Sequence, residues 1–173
     1  MGRGQRGPAV IIVESTVDID RPSTEVFGFV ADQTNAPGWQ HGLHEVRRLT
    51  DGPIGVGTQH VFVRRFAGRR IESRNTYTSF EPDRFVQFEL PDGWLTGQAS
   101  YLVEPHGARR SRLTSRMEFQ IAGPAALASP LLARVLARDS RRDEAALKAL
   151  LEIRNSHSTN GGSPGSGPRH EAT

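Results

Sequence analysis

The sequence predicts an α+β domain in which a curved, seven-stranded antiparallel sheet wraps around a long C-terminal helix, with one or two short helices after the first strand. Three observations carry that expectation. Most of the chain from residue 9 to residue 121 breaks into segments of alternating apolar and polar residues. Clusters of Gly, Pro and Asp punctuate those segments at short intervals, as hairpin connections do. Only the stretch after residue 128 has the length and periodicity of a long helix, so it alone can cover the apolar sheet face.

The elements follow in order. Residues 10–19 alternate as a strand does, with Ile11, Val13, Val17 and Ile19 on one side and Glu14, Thr16 and Asp18 on the other. Pro22 suits the first turn of a helix reaching to about Ala31, on which Val26, Phe27 and Val30 share a face. Residues 35–40 are expected to add one more helical turn. Strands come next near 44–50, 58–66, 70–80, 85–90, 95–104 and 110–121. Turn signals separate them at Gly52-Pro53, Ala67-Gly68, Glu81-Pro82-Asp83, Pro91-Asp92-Gly93 and His106-Gly107. Ser129-Pro130 then supplies the cap and first turn of a helix to about Arg154.

Directly paired residues of a hairpin point to the same side, so one face can be carried across the sheet. An even-length loop around Ala67-Gly68 groups His60, Phe62, Arg64 and Phe66 with Ile71, Ser73, Asn75 and Tyr77. An even loop at 81–84 extends this face into Val86, Phe88 and Leu90, and the next turn into Leu95, Gly97, Ala99, Tyr101 and Val103. A final odd loop with a bulge at Gly107 adds Leu113, Ser115, Met117, Phe119 and Ile121. The opposite face, with Gln59, Arg65, Arg70, Glu72, Arg74, Arg112, Arg116 and Glu118, belongs in water. On the long helix, Leu132, Val135, Leu136, Ala146, Leu147 and Leu150 form one stripe, with Asp139 and Asp143 in its middle.

Polar residues stand out on the interior face: His60, Arg64, Ser73, Asn75, Tyr77 and Ser115. A dry core seldom buries so many, because each needs a partner. A partly hydrated cavity between sheet and helix is therefore expected, where Asp139 or Asp143 would meet Arg64. The plainer reading leaves both aspartates in water at a kink or at the cavity mouth.

Composition narrows the classes. At 36% hydrophobic residues with 18 glycines, the 173-residue chain fits one ordinary globular domain. The expected domain spans 9–154, between disordered tails at 1–8 and 155–173 that are too poor in apolar residues to order themselves. There are no cysteines, hence no disulfide and no thiolate site. No run is long and apolar enough for a transmembrane segment and no signal peptide is evident, so the expected location is cytoplasmic. The formal charge of +3 shrinks once Arg3, Arg6, Arg169 and Glu171 of the tails are set aside, and a nucleic-acid partner is not expected.

The segments VDIDRPSTEVFGFVADQTNAPGWQ, GPIGVGT, FEPDR and RRDEAALKALLE, in this order and spacing, resemble the SRPBCC superfamily. This is the START-like, helix-grip group that includes polyketide cyclase/dehydrase-like and lipid-transfer proteins. The resemblance covers about residues 10–153. It implies a helix-grip fold with a deep hydrophobic cavity for lipids, polyketides or similar molecules. Asp32, Trp39, Gly55, Gly57 and Thr58 match positions that are mainly structural in this group. Fold alone does not license a reaction.

Other chemistry is weakly supported. His41 and His44 lack a third ligand, and exposed loop histidines explain them. Gly52, Gly55 and Gly57 precede neither a lysine nor a helix, so they form no phosphate loop. There is no GxSxG elbow, and His60 has no serine partner. Neither a metal nor a cofactor is expected. Arg109, Arg110 and Arg112 read as a solvated hairpin, with acidic lipid headgroups or RNA as the alternative partners.

The resulting expectation is a protein that binds a small hydrophobic molecule (lipid, polyketide or isoprenoid-like), with room for a homodimer. Its ligand-contacting set is Trp39, His60, Phe62, Arg64, Asn75, Tyr77, Phe88, Trp94, Tyr101, Ser115, Met117, Leu136 and Asp139, with Trp39 and Trp94 beside the entrance. The first alternative is a polyketide cyclase or dehydratase with Tyr77, Arg64 and Asp139 as catalytic candidates. The second is an interaction or assembly module with a filled core.

Overall fold

Alternating segments become strands because one side of each can be buried while the other stays wet. The computed structural model of the protein describes residues 9–66, 69–90, 95–121 and 127–158. The strands are β1 (Ala9–Ile19), β2 (Leu43–Arg48), β3 (Gln59–Phe66), β4 (Arg69–Glu81), β5 (Phe85–Leu90), β6 (Leu95–Pro105) and β7 (Ser111–Ile121). They form one antiparallel sheet in the order β1-β7-β6-β5-β4-β3-β2. Helix α1 (Ser23–Ala31) and a 3-10 turn (Gln33–Gly38) link the two edge strands, and α2 (Ser129–Ser158) closes the chain, running past the expected end near Arg154. The tails at 1–8 and 159–173, the turns at 67–68 and 91–94, and with them Trp94, lie outside the described residues.

The inner face is the expected one. Asn75 pairs with His60, Ser73 with Phe62, Ala99 with Phe88, Ser115 with Tyr101 and Leu113 with Val103. One route to it differs. Glu81 pairs with Phe85 across a three-residue turn in which Asp83 has φ of 60°, so that loop is odd rather than even. A bulge between Tyr77 and Ser79 absorbs the offset, and Tyr77 still faces Phe88. The same bulge turns Phe80 inward as well, where its ring lies 5.6 Å from that of Phe27.

The GPIGVGT segment locks the start of β3. Gly57, at φ of 87°, donates its N–H to the Tyr77 carbonyl, while Tyr77 N–H returns to the Thr58 carbonyl. Thr58 Oγ1 accepts from Gly55 N–H at 3.0 Å. A side chain at residue 57 would strain this left-handed turn.

Two apolar clusters fill the interior. The larger joins α1, Trp39, Leu43, Phe62, Tyr77, Phe88, Tyr101 and Leu113 to Leu147 and Leu151 of α2. The smaller packs Leu132 and Leu136 of α2 on Ile11, Val13 and Ile121. The buried side of α2 is rotated from the expected stripe: Ser140, Glu144, Leu147 and Leu151 are buried, whereas Val135 and Ala146 are exposed. The cause lies on β1, where the Ser15 hydroxyl donates to Glu144 Oε1 at 2.6 Å and meets the Ser140 hydroxyl at 2.7 Å. Polar residues with a buried partner can face inward.

Candidate functional site

The register fixes which end of the sheet α2 leaves open. Leu132 and Leu136 sit over Ile11 and Val13, Glu144 over Ser15, and Lys148 Nζ donates to the Asp18 carbonyl. The first half of α2 therefore lies at the end where β1 and β6 begin, β5 and β7 finish, and β3 turns into β4. Inner-face side chains there are incompletely covered: Arg64 and Ile71 are exposed, while Ser73, Leu90 and Met117 are half-buried. Leu136, Asp139 and Asp143 of α2 are half-buried too. At the other end, Ile19, Val26, Val86, Val103 and Leu113 are sealed.

A polar chain crosses this opening. Arg64 Nη2 donates to Gln40 Oε1 at 3.2 Å, and Gln40 Nε2 donates to the Tyr101 hydroxyl at 3.0 Å. That hydroxyl accepts one bond, and among the described residues no acceptor takes its proton. Burial pushes the Tyr101 phenol up, against the pull of Arg64, so it stays protonated. Protein packed around the Arg64 guanidinium pushes it below its usual value, although solvent reaches the side chain.

The expected ion pair with Arg64 does not form. Asp143 accepts the His41 backbone N–H at 2.9 Å, which ties α2 to the chain entering β2. Burial raises the Asp143 carboxyl, and this N–H and the charge on Arg64 only partly offset it. Gln40 stands as the neutral link where an aspartate was expected. Asp139 is half-buried and makes no hydrogen bond or ion pair among the described residues.

Deeper inside, aromatic rings pack against one another, Tyr77 stacked on Phe88 and the other pairs tilted. Phe88 lies 6.4 Å from Phe62, 5.9 Å from Tyr77 and 6.0 Å from Tyr101 by ring centroids. The Tyr77 hydroxyl donates to the Ala31 carbonyl at 2.6 Å and so fastens α1 to the sheet. Its proton is thus committed to the fold. His60 and Asn75 are fully buried cross-strand neighbours, and neither makes a hydrogen bond of normal geometry. Burial pushes the His60 imidazole down, which keeps it neutral at pH 7.

Of the remaining sequence-predicted residues, two adjoin Tyr101 and two belong to the smaller apolar cluster. Trp39 is buried at the end of the 3-10 turn, its ring 6.0 Å from Tyr101. Ser115 is buried opposite Tyr101, while Met117 and Leu136 belong to the smaller cluster. Gln40 and Glu144 were missed: one lies in a loop without periodicity, and the other is a charged residue that sequence patterning assigns to water. On the surface, Arg110 pairs with Asp20 at 2.6 Å and Arg112 with Asp18 at 2.8 Å. Two shallow depressions also open there, one on the outer sheet face around Gly97 and one at the β6–β7 turn.

A curved antiparallel sheet holding one long C-terminal helix defines the helix-grip class. Residues 10–152 match the profile of the polyketide cyclase / dehydrase and lipid transport family, and the chain belongs to that family, within the SRPBCC superfamily. The Zhui aromatase/cyclase from Streptomyces sp. R1128 superposes with a TM-score of 0.72 at 19% identity, over 88% of this chain and 99% of that one. The di-domain ARO/CYC BexL from the BE-7585A biosynthetic pathway gives 0.69 at 18% identity, over 83% of this chain and 47% of that one. The chain thus spans about half of that protein's length. A norcoclaurine synthase from Thalictrum flavum gives 0.60 at 14% identity, over 87% of this chain and 99% of that one. At these identities the likeness is one of fold. A comparison with curated proteins finds no match. No described helix is long and apolar enough to cross a membrane.

Proposed function

We propose that the protein binds a small, largely apolar molecule between the inner sheet face and the first half of α2. The molecule is lipid-, polyketide- or isoprenoid-like, and its one polar end sits at Arg64 and Tyr101. The observation that carries this reading is the Arg64–Gln40–Tyr101 chain, which presents a cation and a phenolic proton without an acceptor at the incompletely covered end of the interior. A carbonyl or carboxylate oxygen would complete it, and Phe62, Phe88, Leu90 and Met117 would meet the apolar body.

The same pair favours a second reading, a cyclase or dehydratase. A phenol kept protonated by burial, beside a guanidinium, polarises a ketone and stabilises charge that develops on its oxygen. In that reading Tyr101 and Arg64 act on the substrate; Tyr77 positions α1, and Asp139 stands across the opening.

Native mass spectrometry of the purified protein, followed by denaturing extraction, tests binding directly. A stoichiometric apolar adduct is expected, much weakened in both Arg64→Met and Tyr101→Phe, with melting temperatures near wild type. Absence of any adduct, together with no thermal shift across a panel of fatty acids, aromatic polyketides and isoprenoids, would overturn the reading in favour of a filled interaction module. Turnover of a bound polyketone would establish the second reading.

A further inference from the structure

The solvent-facing side of α2 carries a pattern that the interior does not explain. Leu131 is 66% exposed, Val135 46%, and Leu127, just ahead of the helix, 75%. Leu131 and Val135, four residues apart on α2, share one stripe. Arg134, Arg138, Arg141 and Arg142 are exposed beside it. At 100° per residue the six on α2 fall within an arc of about 120°.

These arginines differ from those that flank β1 and β7. On the outer face of β1 and β7, Arg110, Arg112 and Arg116 each pair with an acidic partner on β1 or just beyond it, namely Asp20, Asp18 and Glu14. Among the described residues none of the four on α2 has an ion pair or a hydrogen-bond partner. Of the carboxylates on this stretch of the helix, Asp143 is engaged by the His41 N–H and Glu144 by the Ser15 hydroxyl, while Asp139, half-buried, forms no ion pair with any of the four. The stripe flanks the end of the sheet that α2 leaves open, where Ile71, on the β3–β4 hairpin, is also 46% exposed.

Three occupants can be set against this chemistry. A second copy, docked symmetrically through this face, would set two groups of unpaired arginines against each other. A nucleic acid would satisfy the arginines and leave Leu127, Leu131 and Val135 without a role. An anionic lipid surface takes both, phosphates at the guanidinium groups and the apolar side chains at the acyl boundary. We propose that the protein docks on anionic membranes through this face of α2, which brings the open end of the interior beside the bilayer. The inference does not depend on which molecule the interior holds.

The test is co-sedimentation of the full chain with vesicles of phosphatidylcholine alone and of phosphatidylcholine with phosphatidylglycerol at a ratio of about 3:1, a composition that supplies a negative surface. Binding is expected only to the anionic vesicles, and it should fall steeply with salt. R138E/R142E should lower the partition coefficient by about tenfold or more, and Leu131→Ser by several-fold. Arg109→Glu, at the β6–β7 turn, should bind as wild type does. All these positions are exposed, so unchanged melting temperatures will show that the variants are folded. No binding to anionic vesicles would overturn the proposal, as would binding indifferent to R138E/R142E. Loss with R138E/R142E but none with Leu131→Ser, accompanied by equally tight binding to a DNA duplex, would overturn it in favour of a general polyanion site.

Discussion

Replacing Glu144 with glutamine is expected to stabilise the protein increasingly as pH rises. Glu144 is 4% exposed and accepts a 2.6 Å hydrogen bond from Ser15. Burial raises its carboxyl above the ordinary 4.5, the nearby Asp143 adds to the rise, and the Ser15 bond opposes it. With the folded value above the unfolded one, this group's contribution to stability is intact below about pH 4.5 and drains away as pH climbs through the folded value. Each pH unit by which the folded value stands higher removes about 1.4 kcal/mol on the alkaline side. Glutamine keeps an acceptor for Ser15 and carries no charge, giving up only charge assistance worth about 1 kcal/mol. Urea denaturation of both proteins at pH 5 and pH 8 reads the difference. Relative to wild type, E144Q should gain stability between the two, each kcal/mol gained reading as roughly 2–4 °C in melting temperature. Asp18 and Asp20, held below their usual values by hydrogen bonds from Arg112 and Arg110, are common to both proteins and cancel. A difference that stays constant with pH, or that moves toward wild type as pH rises, would refute a buried, upward-shifted carboxyl.

Two further substitutions separate scaffold from site. Tyr77→Phe removes the buried bond to the Ala31 carbonyl and should cost about 1–2 kcal/mol in chemical denaturation while leaving ligand uptake unchanged. Uptake lost at full stability would return Tyr77 to the ligand. Gly97→Ala would press a Cβ into the Glu118 carbonyl oxygen and bring it to 2.7 Å from the Phe119 ring, so β6 and β7 must part locally. A loss of about 1–3 kcal/mol is expected, outweighing the roughly 0.4–1 kcal/mol gained by restricting the unfolded chain. An unchanged melting temperature would mean that the strands give way more easily than their spacing implies.

The fold was legible because alternation and turn chemistry act locally and agree with one another. Parity arguments even recovered the inner face strand by strand, though at β4 two departures cancelled. The turn after Glu81 is one residue shorter than expected, and the bulge at Thr78 compensates. No local signal announces such a bulge, since Thr78 is an ordinary strand residue. The orientation of α2 was misread for a different reason. Hydrophobic periodicity cannot place Ser140 and Glu144 inward, because what makes them welcome there is Ser15, which lies 125 and 129 residues away in sequence. Gln40 escaped notice in the same way: its place between Arg64 and Tyr101 comes from tertiary structure. The sequence did mark Arg64 and Tyr101 as inward-facing, but of the two aspartates expected to meet Arg64, Asp143 is held by the His41 backbone N–H and Asp139 has no partner among the described residues.

The arrangement of β1 bears on how the chain comes to be folded at all. Of the seven strands it is the first to be synthesised, yet its hydrogen-bonded neighbour is β7 and the helix over it is α2, the last two elements of the domain in sequence. Strands β2 to β7 can zip up hairpin by hairpin as they emerge, each beside the one just made. β1 has to wait, with Ile11, Val13 and Ile19 uncovered until at least residue 111 has been synthesised. Contacts so distant in sequence make closure late and slow. A nascent chain stalled before β7 would therefore hold an unpaired apolar strand, and assistance from a chaperone would matter most in that interval.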